Sequence, residues 1–313
     1  MKQPLLILCL VWLCWSCNTP ETYEPKTFQG LSLTGDSLLM ANRTEEQLKP
    51  LMDNLKEAQD NFNSEASEMN TVWLGRRFAY LMDYQKAIDV FSEGIERFPN
   101  SYKLLRHRGH RYISLRQFDK AVADFEKAHA LMPIGVTDTE PDGAPNKMNI
   151  PLSNTQFNIL YHYGLALYLQ GNFAEAELIY RECMEYSDNP DLRVATMDWL
   201  YMTLRRQGKT DSAKALLSSL DKEAEIIEND SYFKRLLMYS GDLEVKALFE
   251  TDNDDAALSL ATQGYGVANW HLYNGRIEEA LSLFEQLLES PSWSAFGYIA
   301  AEADYARLQS ELQ

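Results

Sequence analysis

Cysteine is scarce in this sequence, with four among 313 residues. Cys9, Cys14 and Cys17 all lie within the first seventeen residues, so counting excludes a disulfide framework for the rest of the chain. Cys183 is left without an obvious partner, and we expect it to be a small buried side chain rather than a reactive thiol. The C-x-x-C motif from Cys14 to Cys17 has no βαβ pattern beside it, which argues against a redox role.

Positive charge is also in short supply. The chain has 29 Lys and Arg against 46 Asp and Glu, which gives a net charge of −17. This balance argues against nucleic acid or an anionic lipid surface as the general partner. We also find no P-loop, no G-x-S-x-G and no H-E-x-x-H motif, so we expect no enzymatic activity.

The histidines do not form a metal-binding pattern. His107 and His110 stand three residues apart on one predicted helix, which could place two ligands together. No acidic residue or cysteine lies near them in sequence to complete a coordination shell. We therefore expect no metal site and no cofactor.

The longest N-terminal apolar run covers residues 5–13, which is too short to span a bilayer as a helix. It follows Lys2 and matches the hydrophobic region of an export signal. With Ser16 before Cys17, the segment resembles a bacterial lipoprotein signal. That resemblance implies removal of residues 1–16, a lipid on Cys17 and attachment to a membrane of the bacterial cell envelope. Cleavage without lipid, or an uncleaved anchor, are the alternatives.

One sequence motif occurs twice between residues 73 and 133. The following residue pairs each stand 34 positions apart: Gly75 and Gly109, Phe78 and Tyr112, Ala87 and Ala121, Phe91 and Phe125, and Pro99 and Pro133. A 34-residue period with these residue types resembles the tetratricopeptide repeat family. The resemblance implies an all-α fold, a right-handed superhelical solenoid of antiparallel helix pairs with capping helices.

The glycines of the pattern indicate close helix packing. Gly75 and Gly109 lie inside helical stretches, where glycine costs about 1 kcal/mol relative to alanine. A missing side chain at such a position allows a second helix to approach. We expect Ala87 and Ala121 to face these glycines, and the prolines that close each pattern to end the second helix.

The chain divides into segments of different composition. We assign residues 1–17 to the signal and lipidation site, 18–43 to a flexible tether, 44–64 to an N-terminal capping helix and 68–313 to the solenoid. Within the solenoid we place repeats near 68–100, 101–135, 157–190, 194–227, a degenerate 229–250, and 261–294, then a cap at 295–312. A long loop at 133–156, rich in Pro and Gly, separates the second repeat from the third. On the final helix we expect Glu302 and Asp304 to face water.

The family resemblance also implies a ligand site on the concave wall, formed by the first helix of each pair. The positions that carry ligand contacts in the family correspond here to Arg76, Lys103, Arg106, His110, Arg205 and Arg206, with Tyr161, Tyr265 and Asn269 on the same wall. From residue 103 to residue 116 the chain has five cations, two histidines and no acid. A strongly acidic chain therefore concentrates positive charge on its predicted inner face.

Three interpretations of this wall remain open. It binds an acidic peptide or a terminal carboxylate through arginine forks, or the loop acids Asp138, Glu140 and Asp142 fold back onto Arg76 or Arg106, or the cations are simply solvated. The function we expect is a non-catalytic binding scaffold or adaptor in the bacterial cell envelope, with a protein or peptide ligand. A glycan-binding or small-molecule-binding lipoprotein and an accessory protein of outer-membrane assembly are the alternatives. The oligomeric state is left open.

Overall fold

A computed structural model describes residues 27–141, 146, 148–249 and 256–311, with the side chains of 256–260 left out. The signal segment, Cys17 and Asp142 lie outside the described residues. Within them, a β-hairpin is followed by a solenoid of antiparallel helix pairs. Cys183 is fully buried, as expected from its place in the repeat, and burial raises the pKa of its thiol to about 12.

The helices begin and end close to the repeat boundaries. The hairpin strands are β1 (Phe28–Leu31) and β2 (Ser37–Leu39). The helices of the described chain are α1 (Glu45–Ser64), α2 (Glu68–Tyr80), α3 (Tyr84–Arg97), α4 (Tyr102–Ser114), α5 (Phe118–Leu131), α6 (Thr155–Leu169), α7 (Phe173–Cys183), α8 (Pro190–Arg206), α9 (Thr210–Ser218), α10 (Asp230–Ser240), α11 (Ala256–Tyr273), α12 (Ile277–Leu288) and α13 (Phe296–Glu311). The degenerate repeat keeps only α10 and a short 3-10 turn, Val245–Leu248, as its second half.

Local sequence sets the helix ends. Thr44 and Gln47 form a reciprocal capping box at the start of α1. Asn189 caps α8 and is followed by Pro190 at the first helical turn, where a missing N–H costs nothing. Each of five helix pairs also turns through a left-handed residue two positions before its second helix. These residues are Met82, Arg116, Gly171, Gly208 and Gly275.

The repeat glycines receive aromatic rings from the second helix of their own pair. A Cβ built on Gly75 would lie 2.2 Å from the Phe91 ring, and one on Gly164 would lie 2.8 Å from the Tyr180 ring. The ring thus takes the space that the glycine leaves. Ala87, which we expected to face Gly75, is fully buried one turn before Phe91 on the same helix.

The segment predicted to be a flexible tether is structured from residue 27 onward. Gln29 of the hairpin accepts a hydrogen bond from the backbone N–H of Tyr84 at 2.8 Å, and the Leu39 carbonyl accepts one from the Trp293 indole at 2.6 Å. The hairpin is therefore part of the folded body. Sequence alone did not reveal it because three- and four-residue strands leave too short a pattern to separate from a loop.

The C-terminal helix closes the solenoid from inside. Helix α13 packs against α11, α12 and α6, and so connects the last repeat to the middle of the array. Its Glu302 accepts from the backbone N–H of Leu33 at 2.6 Å and pairs with Arg116 at 2.6 Å. Both side chains of this ion pair are buried, which corrects the expectation that Glu302 faces water. In the part of the chain described by the structure, no helix is both long enough and apolar enough to cross a bilayer.

Candidate functional site

Part of the predicted ligand-binding wall is inaccessible. Tyr161, Tyr265 and Asn269 are buried, and the Arg206 side chain is 14% exposed. Tyr161 donates its hydroxyl to Tyr232 at 3.1 Å. These four side chains were expected to contact a ligand, and in this structure they contact other parts of the chain.

A polar network from α13 explains their burial. The Tyr265 hydroxyl donates to Asp304 at 2.9 Å, and Arg206 pairs with the same carboxylate at 2.8 Å. Asn269 donates to the Tyr168 hydroxyl at 3.0 Å. Asp304, expected to face water, is thus the centre of a buried network. Burial opposes its ionisation, yet the adjacent arginines hold the pKa of Asp304 below its ordinary value.

Arg205 and Lys103 are half-buried and lie apart from this network. Arg205 donates to Asn274 at 2.8 Å and stacks 4.3 Å from the Tyr273 ring. Lys103 lies beside the long loop, with its ammonium group 5.7 Å from the Tyr102 ring. Neither residue belongs to the cluster of guanidinium groups described next.

An open cavity of about 150 Å³ remains at the inner face of the first two repeats. We call it the arginine cavity, and it is lined by Arg76, Tyr80, Phe91, Arg106, His107, His110, Arg111 and Glu140. Three of the predicted ligand residues, Arg76, Arg106 and His110, therefore lie together. They come from helices α2 and α4, with Glu140 supplied by the long loop.

Among the described residues that line the arginine cavity, the positive charges outnumber the negative ones. Arg106 pairs with Glu140 at 3.0 Å, which is the fold-back contact that the loop acids suggested. The Arg106 Nε is buried and has no hydrogen-bond acceptor among the described residues. Arg76 donates to the Pro141 carbonyl at 2.8 Å and lies over the Trp73 ring.

Arg111 is the least compensated member of the cluster. Its guanidinium lies 4.9 Å from the Tyr84 ring, and no carboxylate pairs with it in the described structure. Burial and the neighbouring Arg106 and Arg76 lower the pKa of Arg111 to about 10, so it stays charged at neutral pH. Among the described residues, the cavity lining thus holds three guanidinium groups and one carboxylate, that of Glu140.

The nearby histidines add polar groups but no charge at neutral pH. Burial, together with the arginines, holds the pKa values of His107, His110 and His162 well below 6.5. The rings of His110 and His162 lie 4.4 Å apart, centre to centre. Within the described residues, no group of three or more His, Cys, Asp or Glu side chains could hold a metal ion.

Arg111 was not among the residues predicted for the site. It lies one position beyond His110, at a repeat position that the family resemblance does not associate with ligands. The acid-free cationic run from residue 103 to 116 was the signal that could have identified it. Two other cations of that run turn away from the cavity, since Arg108 pairs with Asp124 and Arg116 with Glu302.

Comparison with known proteins identifies one repeat in this chain. Residues 157–190 match the family model described as tetratricopeptide repeat. No curated protein matches the sequence. One solved structure that resembles this chain is YrrB, described as a TPR protein with an unusual peptide-binding site. The two sequences are 12% identical, the match covers 82% of this chain and 98% of that chain, and the TM-score is 0.42.

Two further structures are similar to the same extent. A tetratricopeptide repeat protein from Parabacteroides merdae has 13% identity over 81% of this chain and 92% of its own, with a TM-score of 0.47. The Cut9–Hcn1 hetero-tetramer of the APC/C has 12% identity over 84% and 63%, with a TM-score of 0.38. The chain thus contains a tetratricopeptide repeat at residues 157–190, within a helical repeat solenoid.

Proposed function

We propose that this protein is a non-catalytic scaffold of the bacterial cell envelope that binds an acidic segment of a partner protein at the arginine cavity. The observation that carries the proposal is the charge of the cavity lining, where the described residues include three guanidinium groups and one carboxylate, in a chain of net charge −17. Repeat solenoids present extended surfaces to partners, which favours a scaffold.

A carboxylate is the group that suits this cavity. Arginine forks bind carboxylates through paired N–H donors, and such charge-assisted bonds are about twice as strong as neutral ones. Arg111, which pairs with no carboxylate among the described residues, supplies donors that Glu140 does not use. A partner carboxylate would relieve the repulsion among the neighbouring cations.

The test is capture of partners from envelope extract by the purified full-length protein, with identification by mass spectrometry. The variant Arg76→Gln with Arg111→Gln removes two charges without burying a new one. The control Arg97→Gln with Arg205→Gln removes two charges elsewhere. We expect a partner that wild type and control retain and the cavity variant loses. Identical partner sets for all three proteins would contradict the proposal.

Glu140 gives a second test of the same site. It occupies part of the arginine cavity, so Glu140→Gln removes a competing carboxylate while keeping the side chain's shape. We expect the partner identified above to bind several-fold tighter to this variant. Glu185→Gln, an exposed acid outside the cavity, makes the same change in net charge and should leave affinity unchanged. Weaker binding to Glu140→Gln would show that the partner does not use the arginine cluster.

Membrane attachment rests on the Ser16 and Cys17 pattern and is tested separately. We expect wild-type protein to incorporate labelled fatty acid and to fractionate with membranes. Cys17→Ala should abolish the label and release the protein.

The glycan-binding alternative is not favoured by the tryptophans. Trp199 and Trp293 are buried. Trp73 and Trp270 are partly exposed, but each has an arginine over its ring, at 4.4 Å for Arg76 and 4.0 Å for Arg276.

A further inference from the structure

A second cavity lies next to the arginine cavity. Its volume is about 250 Å³, and helices α4, α8, α10 and α11 and the start of α13 surround it. We call it the aromatic cavity, and its walls include His110, Trp199, Tyr232, Thr262, Ser294 and Phe296. His110 also lines the arginine cavity, so one side chain forms a wall of both.

The aromatic cavity suits a ring rather than an anion. Arg235 is the charged residue of its described lining, and it forms a bidentate ion pair with Asp198. The remaining guanidinium nitrogen, Nη1, donates to the Thr262 carbonyl at 2.5 Å. Trp199, Tyr232 and Phe296 supply flat apolar surface. A dry cavity of about 150 Å³ is large enough to bind benzene, so this one has room for a phenol ring.

The cavity wall combines a rigid aromatic surface with hydroxyl groups. Trp199 is 1% exposed, and Tyr168 and Tyr265 pack against its indole and hold it in place. Ser294 and Thr262 also line the cavity and bring hydroxyl groups to it. A ring that carries a hydroxyl group therefore suits the cavity better than a purely apolar ring.

We propose that the partner segment carries a tyrosine close to its acidic residue, the carboxylate entering the arginine cavity and the phenol entering the aromatic cavity. This inference rests on the function proposed above and adds the recognition motif. A phenol hydroxyl can donate to, and accept from, a hydroxyl such as that of Ser294 or Thr262. His110, which lines both cavities, would lie between the two anchors.

The experiment uses capped synthetic peptides in which one Glu and one Tyr are separated by zero to four glycines, titrated calorimetrically into the purified full-length protein. Matched peptides carry Ala in place of Tyr, or Gln in place of Glu. Ser294→Phe narrows the aromatic cavity and leaves every arginine intact, and Ser294→Ala is its control. Thr262→Leu is a second narrowing variant, and thermal unfolding checks that each variant is folded.

We expect at least one spacing to bind tenfold or more tightly than its Ala counterpart, with that advantage lost in both narrowing variants and kept in Ser294→Ala. If the Ala peptides bind as tightly and only the Gln peptides fail, the tyrosine inference is overturned and the acidic recognition stands. If no acidic peptide binds better than its Gln counterpart, the proposed function is overturned as well. If free 4-hydroxyphenylacetate equals the best peptide, the ligand is a small aromatic acid, which overturns the peptide motif.

Discussion

At the scale of single residues, the unusual feature is a group of neutral histidines beside charged arginines. His107 is buried and lies 2.9 Å from Arg106, while His162 is buried and bonds the Asn158 carbonyl at 2.6 Å through its Nδ1. An imidazolium at either position would repel the nearby guanidinium groups. The positive charge of the arginine cavity therefore comes from its arginines, and the histidines do not change it near neutral pH.

This arrangement predicts a pH dependence of stability. The folded pKa of His162 lies below 6.5 because of burial and Arg106, whereas the unfolded side chain titrates near 6.5. Below that pH the unfolded chain binds protons that the folded chain refuses, so the free energy of unfolding falls as pH falls. Each such histidine contributes up to about 1.4 kcal/mol per pH unit.

The measurement is urea unfolding at pH 7.5, 6.5 and 5.5 for wild type and His162→Gln. We expect the free energy of unfolding to fall less steeply with decreasing pH in the variant, and the difference in slope should approach one bound proton below pH 6.5. The comparison of slopes holds even if the substitution lowers stability at every pH. Equal slopes would mean that His162 binds its proton equally well in the folded and unfolded chain.

At the scale of the helix pair, a glycine under an aromatic ring is the recurring contact. Gly109 lies under Phe125 as Gly75 lies under Phe91, with a Cβ on Gly109 reaching 2.9 Å from the ring. The ring edge fits against the helix backbone, and the pair can approach closely. Glycine lowers the helix propensity at this position, but it allows a large aromatic side chain to pack against the helix backbone.

Gly75→Ala should therefore destabilise the protein. The added Cβ would lie 2.2 Å from the Phe91 ring, and overpacking of this kind costs ~1–3 kcal/mol, against a gain of up to ~1 kcal/mol in helix propensity. In a Phe91→Leu background the same change should be neutral or stabilising. A double-mutant cycle by chemical denaturation measures both effects, and additive changes would show that the ring is not the obstacle.

At the scale of the whole molecule, contacts between distant segments close the array. Arg116 and Glu302 are 186 residues apart in sequence and form a buried pair. Arg116 also donates to the Trp293 carbonyl at 2.9 Å, and its backbone is left-handed, with φ of 60°. Such a conformation is uncommon for a residue other than glycine and is held here by the contacts of the side chain.

Loss of this pair should be costly. Glu302→Gln leaves the Arg116 guanidinium buried without a carboxylate, and breaking a buried pair in this way costs about 3–5 kcal/mol. Glu289→Gln, which changes an exposed acid at the C-terminal end of α12, should alter stability by less than about 0.5 kcal/mol. Guanidinium unfolding monitored by circular dichroism compares the two. Equal stability of both variants would contradict the closure.

The sequence by itself determined the helix pairs. The 34-residue spacing, the repeat glycines and the capping residues act within one or two helices, so their effects are readable without knowledge of the whole array. It also located the cationic run from residue 103 to 116, which supplies Arg106 and Arg111 to one cavity, and the repeat register placed Arg76 on the same wall. These are local properties, and their physical causes lie within a few tens of residues.

Only the tertiary structure decided which of these side chains are available. Glu302 and Asp304 belong to an amphipathic terminal helix and look like solvent-facing acids, yet both are fully buried against arginines. Arg116 and Arg206 become neighbours of α13 only because the solenoid curves and brings α13 back against earlier parts of the chain. The curvature accumulates from small rotations at every helix interface, and no local stretch of sequence encodes their sum.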